Sequence, residues 1–187
     1  MKVDILQKGG DKKDIETIKN AVLYFGKVLM STRMCNTLNI RIELRSTKLK
    51  KNTLGICTSE NNGSKSSKSF TIIIQRELPL IDKIETVAHE MVHVYQQSIN
   101  KLQIRKWKSD DLFHVRWDGK DKGVLESVPY MEQEWEKEAF ALETPLLNCF
   151  REHHHKRVEG EDIRMKQFKL AVKKFDFENG KEANLVL

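Results

Sequence analysis

The stretch Ala88-His89-Glu90-Met91-Val92-His93 carries two histidines four residues apart, with a glutamate directly after the first. On a helix, residues four apart stand one turn above each other and project from one face. Two imidazoles so placed can hold one divalent ion, and zinc binds such nitrogens at about 2.0–2.1 Å. Glu90 falls on the flank of that face, where it can take a proton from an attacking water without ligating the metal itself. Placed at random, the histidines and glutamates of this chain would spell the pattern with a probability of about 2%. The plain alternative is a helix with two histidines on a half-buried face.

A catalytic zinc also needs a third protein ligand and an open position for water. Ile99 occupies the place where the longer pattern HExxHxxGxxH would put its last histidine, so that route is closed. Two others stay open. His114 lies 21 residues after His93, and the segment from Glu126 to Glu143 holds six glutamates against the single Lys137.

The elements that must position these groups are readable from periodicity. Ile15, Ile18, Val22, Phe25 and Leu29 fall at steps of three and four, which predicts an amphipathic helix over Asp14 to Met30, with Asp11 or Asp14 as its cap. Leu38 to Arg45 alternates apolar and polar residues, as a half-buried strand does. Thr53 to Thr58 is a weaker strand containing Gly55, Glu60 to Ser69 a solvated loop, and Phe70 to Gln75 a β-branched strand. Short connections make the three strands antiparallel. After Pro79, the stripe Ile81, Ile84, Val87, Ala88, Met91, Val92 and Tyr95 predicts a helix to about Ile99, with Asp82 and Glu85 spaced as a capping box. Leu102 to Val124 reads as irregular. Pro129 suits the first turn of another helix, running to Glu143 or beyond, which Pro145 should kink or end. Asp162 to Phe175 predicts a last helix with a basic outer face, followed by a loose tail after Phe177.

A chain of 187 residues suits one domain, here a core over about residues 11–150 and a basic helical extension over about 151–187. Apolar residues at 39% argue against wholesale disorder, and charged residues at 32% argue against a membrane protein. The N-terminal residues lack the apolar core of a signal peptide, so the expected location is the cytoplasm, that of the host if the chain is viral. The formal charge of +6 is uneven, since Lys101 to Lys122 and Arg151 to Lys174 are both basic. These flanks suit proximity to nucleic acid, and Trp107 and Trp117 among the first of them could stack on bases. The other reading of the two tryptophans is as anchors of a long loop, and Trp135 reads as core. Cys35, Cys57 and Cys149 are too far apart and too few for a disulfide framework or an all-cysteine zinc site, and read as reduced thiols. His153-His154-His155 could bind a second metal, but its polar surroundings favour a solvated helix end.

His89-Glu90-Met91-Val92-His93 followed by Pro129-Tyr130-Met131-Glu132-Gln133-Glu134-Trp135-Glu136-Lys137-Glu138-Ala139-Phe140 resembles the gluzincin-type zinc metallopeptidases. More narrowly it is similar to SprT-like and phage-encoded metallopeptidases, whose second motif reads PY…PWExEA. Glu134 stands where those proteins usually have proline. The resemblance covers about Asn39 to Glu143 and implies an α+β fold: a helix, an antiparallel sheet, the zinc helix and a helix bearing a ligand glutamate. It also implies Glu136 as the third ligand, because gluzincins place the ligand first in an E-x-E-A-D segment, with Glu138 as the alternative and His114 behind it. Phe140 replaces the final acidic residue, so the usual partner of the first histidine must come from elsewhere.

The expectation is a zinc-dependent metalloendopeptidase that acts on protein or peptide substrates, with Zn²⁺ on His89, His93 and Glu136 and with Glu90 as general base. Tyr130, Tyr95 and His114 are candidates for the oxyanion donor, with Tyr130 taken first. Phe70 to Gln75 is the candidate edge strand for pairing with substrate. A DNA-associated protease of the SprT-like kind that acts on nucleoprotein is one alternative. A catalytically silent zinc-fold binding module is the other, and the intact Glu90 speaks against it.

Overall fold

The structure is a computed structural model, and it describes residues 1–6, 12–46, 49, 53–60, 67–107 and 109–155. The expected C-terminal helix from Asp162 to Phe175, and most of the expected basic extension, lie outside the described residues. The fold class is α+β, with two sheets and four α-helices among the described residues.

The first sheet has four strands: β1 (Lys2–Leu6), β2 (Asn39–Arg45), β3 (Gly55–Ser59) and β4 (Ser69–Gln75), in the order β1-β2-β4-β3. β1 runs parallel to β2 and β2 parallel to β4, while β3 is antiparallel to β4. This corrects the expected three-stranded antiparallel sheet in two respects. Strand β1 was not foreseen. The short connections do reverse direction at each step, but β4 inserts between β2 and β3 instead of following β3 outward. Burial explains the insertion. Phe70, Ile72 and Ile74 of β4 are among the most buried residues of the chain and need a neighbour on both sides. β3 offers only Gly55, Cys57 and Ser59 on the same face and forms the edge. Phe70 to Gln75 is therefore an interior strand, and the edge role expected for it belongs to β3.

One face of this sheet carries Val3, Ile5, Ile40, Ile42, Phe70, Ile72 and Ile74, which the register aligns across strands. Helix α1 (Lys12–Leu29) and helix α3 (Leu80–Ser98) contribute Ile18, Val22, Phe25, Ile84, Val87, Ala88 and Met91 to the same core. The short helix α2 (Thr32–Cys35) is capped by the Ser31 hydroxyl, which accepts from the Met34 N–H. α3 begins at Leu80 with Pro79 in the cap position, one residue ahead of the stripe, so Asp82 lies in the first turn rather than at the cap. Its carbonyl there accepts from the Thr86 hydroxyl at 2.7 Å.

The segment expected to be irregular folds as a second, antiparallel sheet: β5 (Leu102–Lys106), β6 (Phe113–Trp117) and β7 (Lys120–Val124). Its inner face, with Leu102, Val115 and Trp117, packs on Trp135 to make a separate small core. The apolar residues are few, Leu102 and Ile104 in β5, Phe113, Val115 and Trp117 in β6 and Val124 alone in β7, so the alternation is too short to stand out. Two 3₁₀ turns, Leu125–Ser127 and Tyr130–Glu132, lead into α4 (Glu134–His155). Pro129 thus precedes a 3₁₀ turn and not the helix itself. α4 also runs through Pro145. An interior proline costs a helix about 3 kcal/mol. Leu142, Leu146, Leu147 and Phe150 are all buried against the main core and hold the helix together across it. Among the described residues no helix is long and apolar enough to cross a membrane.

Candidate metal centre

α3 and α4 pack side by side, and each turns a polar strip toward the other within an otherwise apolar contact. From α3 come His89 and His93, and from α4 comes Glu136; all three are buried. Their ligand atoms lie within 4.8 Å of one another. His89 Nε2 is 3.1 Å from Glu136 Oε2, and His93 Nε2 is 3.3 Å from Glu136 Oε1. Donor atoms bound to one tetrahedral zinc at about 2.0–2.1 Å stand roughly 3.3 Å from each other. The donor set of two imidazole nitrogens and a carboxylate suits a divalent transition metal, zinc among them.

The other ring nitrogens are held away from this point. His89 Nδ1 donates to Glu143 Oε2 at 2.8 Å, and His93 Nδ1 donates to Gln96 Oε1 at 2.9 Å. With Nδ1 engaged as donor, each Nε2 is the atom turned toward the centre, where a metal would displace its proton, the arrangement in which a second partner orients a ligating imidazole. Glu143 is the partner of the first histidine that the Phe140 position does not supply. It went unread in the sequence, although it lies seven residues after Glu136, two helical turns on and on the same face. Phe140 sits between them, its ring edge-on to His89 at 4.8 Å.

Glu138, an alternative third ligand, points the other way. It accepts from Gln96 Nε2 at 2.9 Å and is ion-paired with Lys101. His114, the remaining alternative, lies on β6, stacked on Trp107 and bonded to Asp110. Tyr95 packs against the main core. Tyr130 does reach the centre: its hydroxyl donates to Glu136, while more than half of the residue stays exposed. Burial, then the Glu136 charge, raises the phenol above its ordinary value, so it keeps its proton and remains a donor.

Glu90 is buried beside the two histidines, under the outer edge of β3, which pairs with no other strand among the described residues. Leu54 and Glu60 exchange backbone hydrogen bonds with β4, so in this antiparallel pair the backbone groups of Gly55, Cys57 and Ser59 face outward. The Cys57 N–H donates to the Glu90 carboxylate. Gly55 allows the approach: a Cβ there would fall 2.9 Å from Glu90 Oε1 and 2.5 Å from Thr86 Cγ2. Burial raises the Glu90 pKa above the ordinary carboxylate value, against the lowering charges of His93 and His89. A carboxylate raised in this way is a better proton acceptor near neutrality.

Protons and a metal ion compete for the same Nε2 atoms. Burial alone would depress His89, but hydrogen bonds to Glu136 and Glu143 and the charges of Glu90 and Glu136 outweigh it, and the ring is pushed up to about 10. Burial likewise depresses His93, and its contact with Glu136 overcomes this and raises it. Glu136, despite burial, is held well below the carboxylate range by the two histidines and Tyr130. Metal uptake near pH 7.5 should therefore release one to two protons, read by calorimetry in buffers of different ionisation enthalpy, and metal affinity should fall about tenfold per pH unit for each proton displaced. In the metal-free protein the raised His89 contributes stability that is complete below its ordinary value of 6.5 and is lost as pH rises through about 10.

Trp135 and Trp117 are buried together, with ring centroids 6.3 Å apart. Trp107 is exposed. Cys35, Cys57 and Cys149 are free thiols. His153 and His154 lie at the end of α4 against Tyr24 and Phe150, with ring centroids at 4.9 and 5.1 Å. Comparison with protein-family profiles, with curated proteins and with solved structures finds no match to this chain.

Proposed function

We propose that this protein is a zinc-dependent metalloendopeptidase, with the ion held by His89, His93 and Glu136. The observation that carries the reading is the conjunction at one place of three buried ligand groups, a second carboxylate, Glu90, that is near them but held by a backbone N–H, and a strand edge that pairs with no other strand among the described residues. A metal bound there would supply Lewis acidity toward water and toward a peptide carbonyl. The rest falls to the chain. An extended substrate pairs with the outward backbone groups of β3 on either side of Cys57, whose N–H is taken by Glu90. Glu90 accepts the proton of the attacking water and passes it to the leaving amine. Tyr130 donates to the oxyanion from the opposite side, having exchanged its hydrogen bond to Glu136 for one to substrate. Phe140, its ring edge-on to Tyr130 with centroids 6.1 Å apart, and Met131 are exposed apolar residues next to it.

The test is metal analysis of purified protein followed by digestion of an unfolded protein substrate. One zinc per chain, cleavage lost with a chelator and restored by zinc, is the expected result. A protein that takes up no divalent metal would remove the proposal. Replacing Tyr130 with phenylalanine should lower kcat by about 10²–10³-fold, the cost of one oxyanion donor, with KM and metal content little changed. A change confined to KM would assign Tyr130 to binding alone.

A DNA-associated form of the same activity is the second reading. It is supported by the outer face of the second sheet, where exposed Trp107 stands with Arg105, His114 and Arg116 around a cavity of about 110 Å³. Retention on DNA that falls steeply with salt would favour it, and retention at no salt concentration would exclude it.

A further inference from the structure

Gln96 lies one turn beyond the metal-binding pair on α3 and is completely buried. Its amide nitrogen donates to two groups that can only accept, the Trp135 carbonyl at 3.0 Å and Glu138 Oε2 at 2.9 Å. The orientation of the amide is therefore fixed, and Oε1 is left to face His93. Only an N–H can meet it, so His93 carries its proton on Nδ1 and offers Nε2 to the centre. The other oxygen of Glu138 is ion-paired with Lys101. Lys101 is itself clamped: its N–H donates to the Gln96 carbonyl at 2.9 Å, its carbonyl accepts from the Asp118 N–H at 2.7 Å, and its ammonium lies 4.9 Å from the centre of the Trp117 ring. Trp117 belongs to the small core of the second sheet.

We infer that Gln96, oriented by Glu138 and Lys101, is a positioning residue that sets the tautomer and aim of His93, and that through this chain the second sheet tunes the affinity of the centre for its metal. Glu138 accordingly serves the centre at one remove, through an amide, instead of as a ligand. The inference rests on the proposed metal site and extends it to three residues that do not touch the ion.

The test measures zinc affinity by chelator competition, together with the visible spectrum of the Co²⁺-loaded protein. Gln96→Leu keeps the volume and removes both hydrogen-bonding ends, and should weaken zinc by about 10–100-fold, the usual loss for a partner of a ligating histidine. The paired change Lys101→Met with Glu138→Leu removes the ion pair without leaving a buried charge alone, and keeps the lysine stem over Trp117. Its thermal unfolding should stay near that of the wild type while zinc affinity falls several-fold and the Co²⁺ bands shift. A purely structural role would move the unfolding temperature and leave the metal readouts alone. Wild-type affinity and spectrum in the paired variant, or in a folded Gln96→Leu protein, overturn the inference while the metal site stands. A wild-type chain that binds no zinc overturns both.

Discussion

Glu90→Gln is expected to leave one zinc per chain and to reduce cleavage of an unfolded protein substrate by about 10²–10⁴-fold, the range for loss of a general base. The substitution suits the question because the site constrains the group so closely. The carboxylate is buried, bonded by the Cys57 N–H and flanked by the space Gly55 leaves open. Glutamine has the same shape, and its amide oxygen can accept from the same N–H. What it lacks is the capacity to take up a proton. Because Glu90 does not contribute to the three-residue cluster, metal uptake should be indifferent to the change. Unchanged cleavage at full metal content would assign the base elsewhere, and lost metal would show that Glu90 supports the centre directly.

Glu136→Ala should have the larger effect on the metal itself. It removes one of three ligands and, in the same step, the acceptor shared by His89, His93 and Tyr130. Zinc affinity should fall more than about 100-fold, beyond the 10–100-fold that loss of an outer partner brings. Glu143→Ala supplies that comparison in the same assay, since it removes only the Nδ1 acceptor of His89. Full zinc occupancy in Glu136→Ala at micromolar metal would sink the three-residue centre. An effect of Glu143→Ala as large as that of Glu136→Ala would mean that Glu143 turns inward to ligate.

The helical half of this site is largely legible in the sequence. The four-residue step from His89 to His93 and the apolar stripe around it place both rings on one face of one helix, and that is where they lie. Glu136 is different. Nothing in local spacing separates it from Glu134 or Glu138, which are equally acidic and within one turn; likeness to a motif singled it out, and only the packing of α4 on α3 shows which glutamate faces the histidines. Glu143 had a signal, its seven-residue step from Glu136, but an acidic helix carries many such steps. Strand order was not legible at all. Alternation tells which face of a strand is wet, and β2 and β4 obey it, but it is silent on which strand lies beside which. The relative apolarity of Phe70–Ile74 and Gly55–Ser59 held the answer, because the strand with more to bury takes the inner place. β1 and the second sheet were missed for a simpler reason: five-residue strands with two or three inward residues give too short a pattern to stand above chance.

The way β3 meets Glu90 has a consequence for how such a protein can change. The acid group is bonded by a main-chain N–H and approached by a residue that has no side chain, so its hydrogen bond to the strand does not depend on which side chain stands there. Ile56 and Thr58 lie on the opposite face of the strand, and on the proposed mechanism substitutions there would alter which sequences the edge accepts while leaving Glu90 in place. Position 55 has no such latitude, since anything larger than hydrogen meets the carboxylate. On the proposed mechanism, recognition and reaction would then be alterable separately within five consecutive residues.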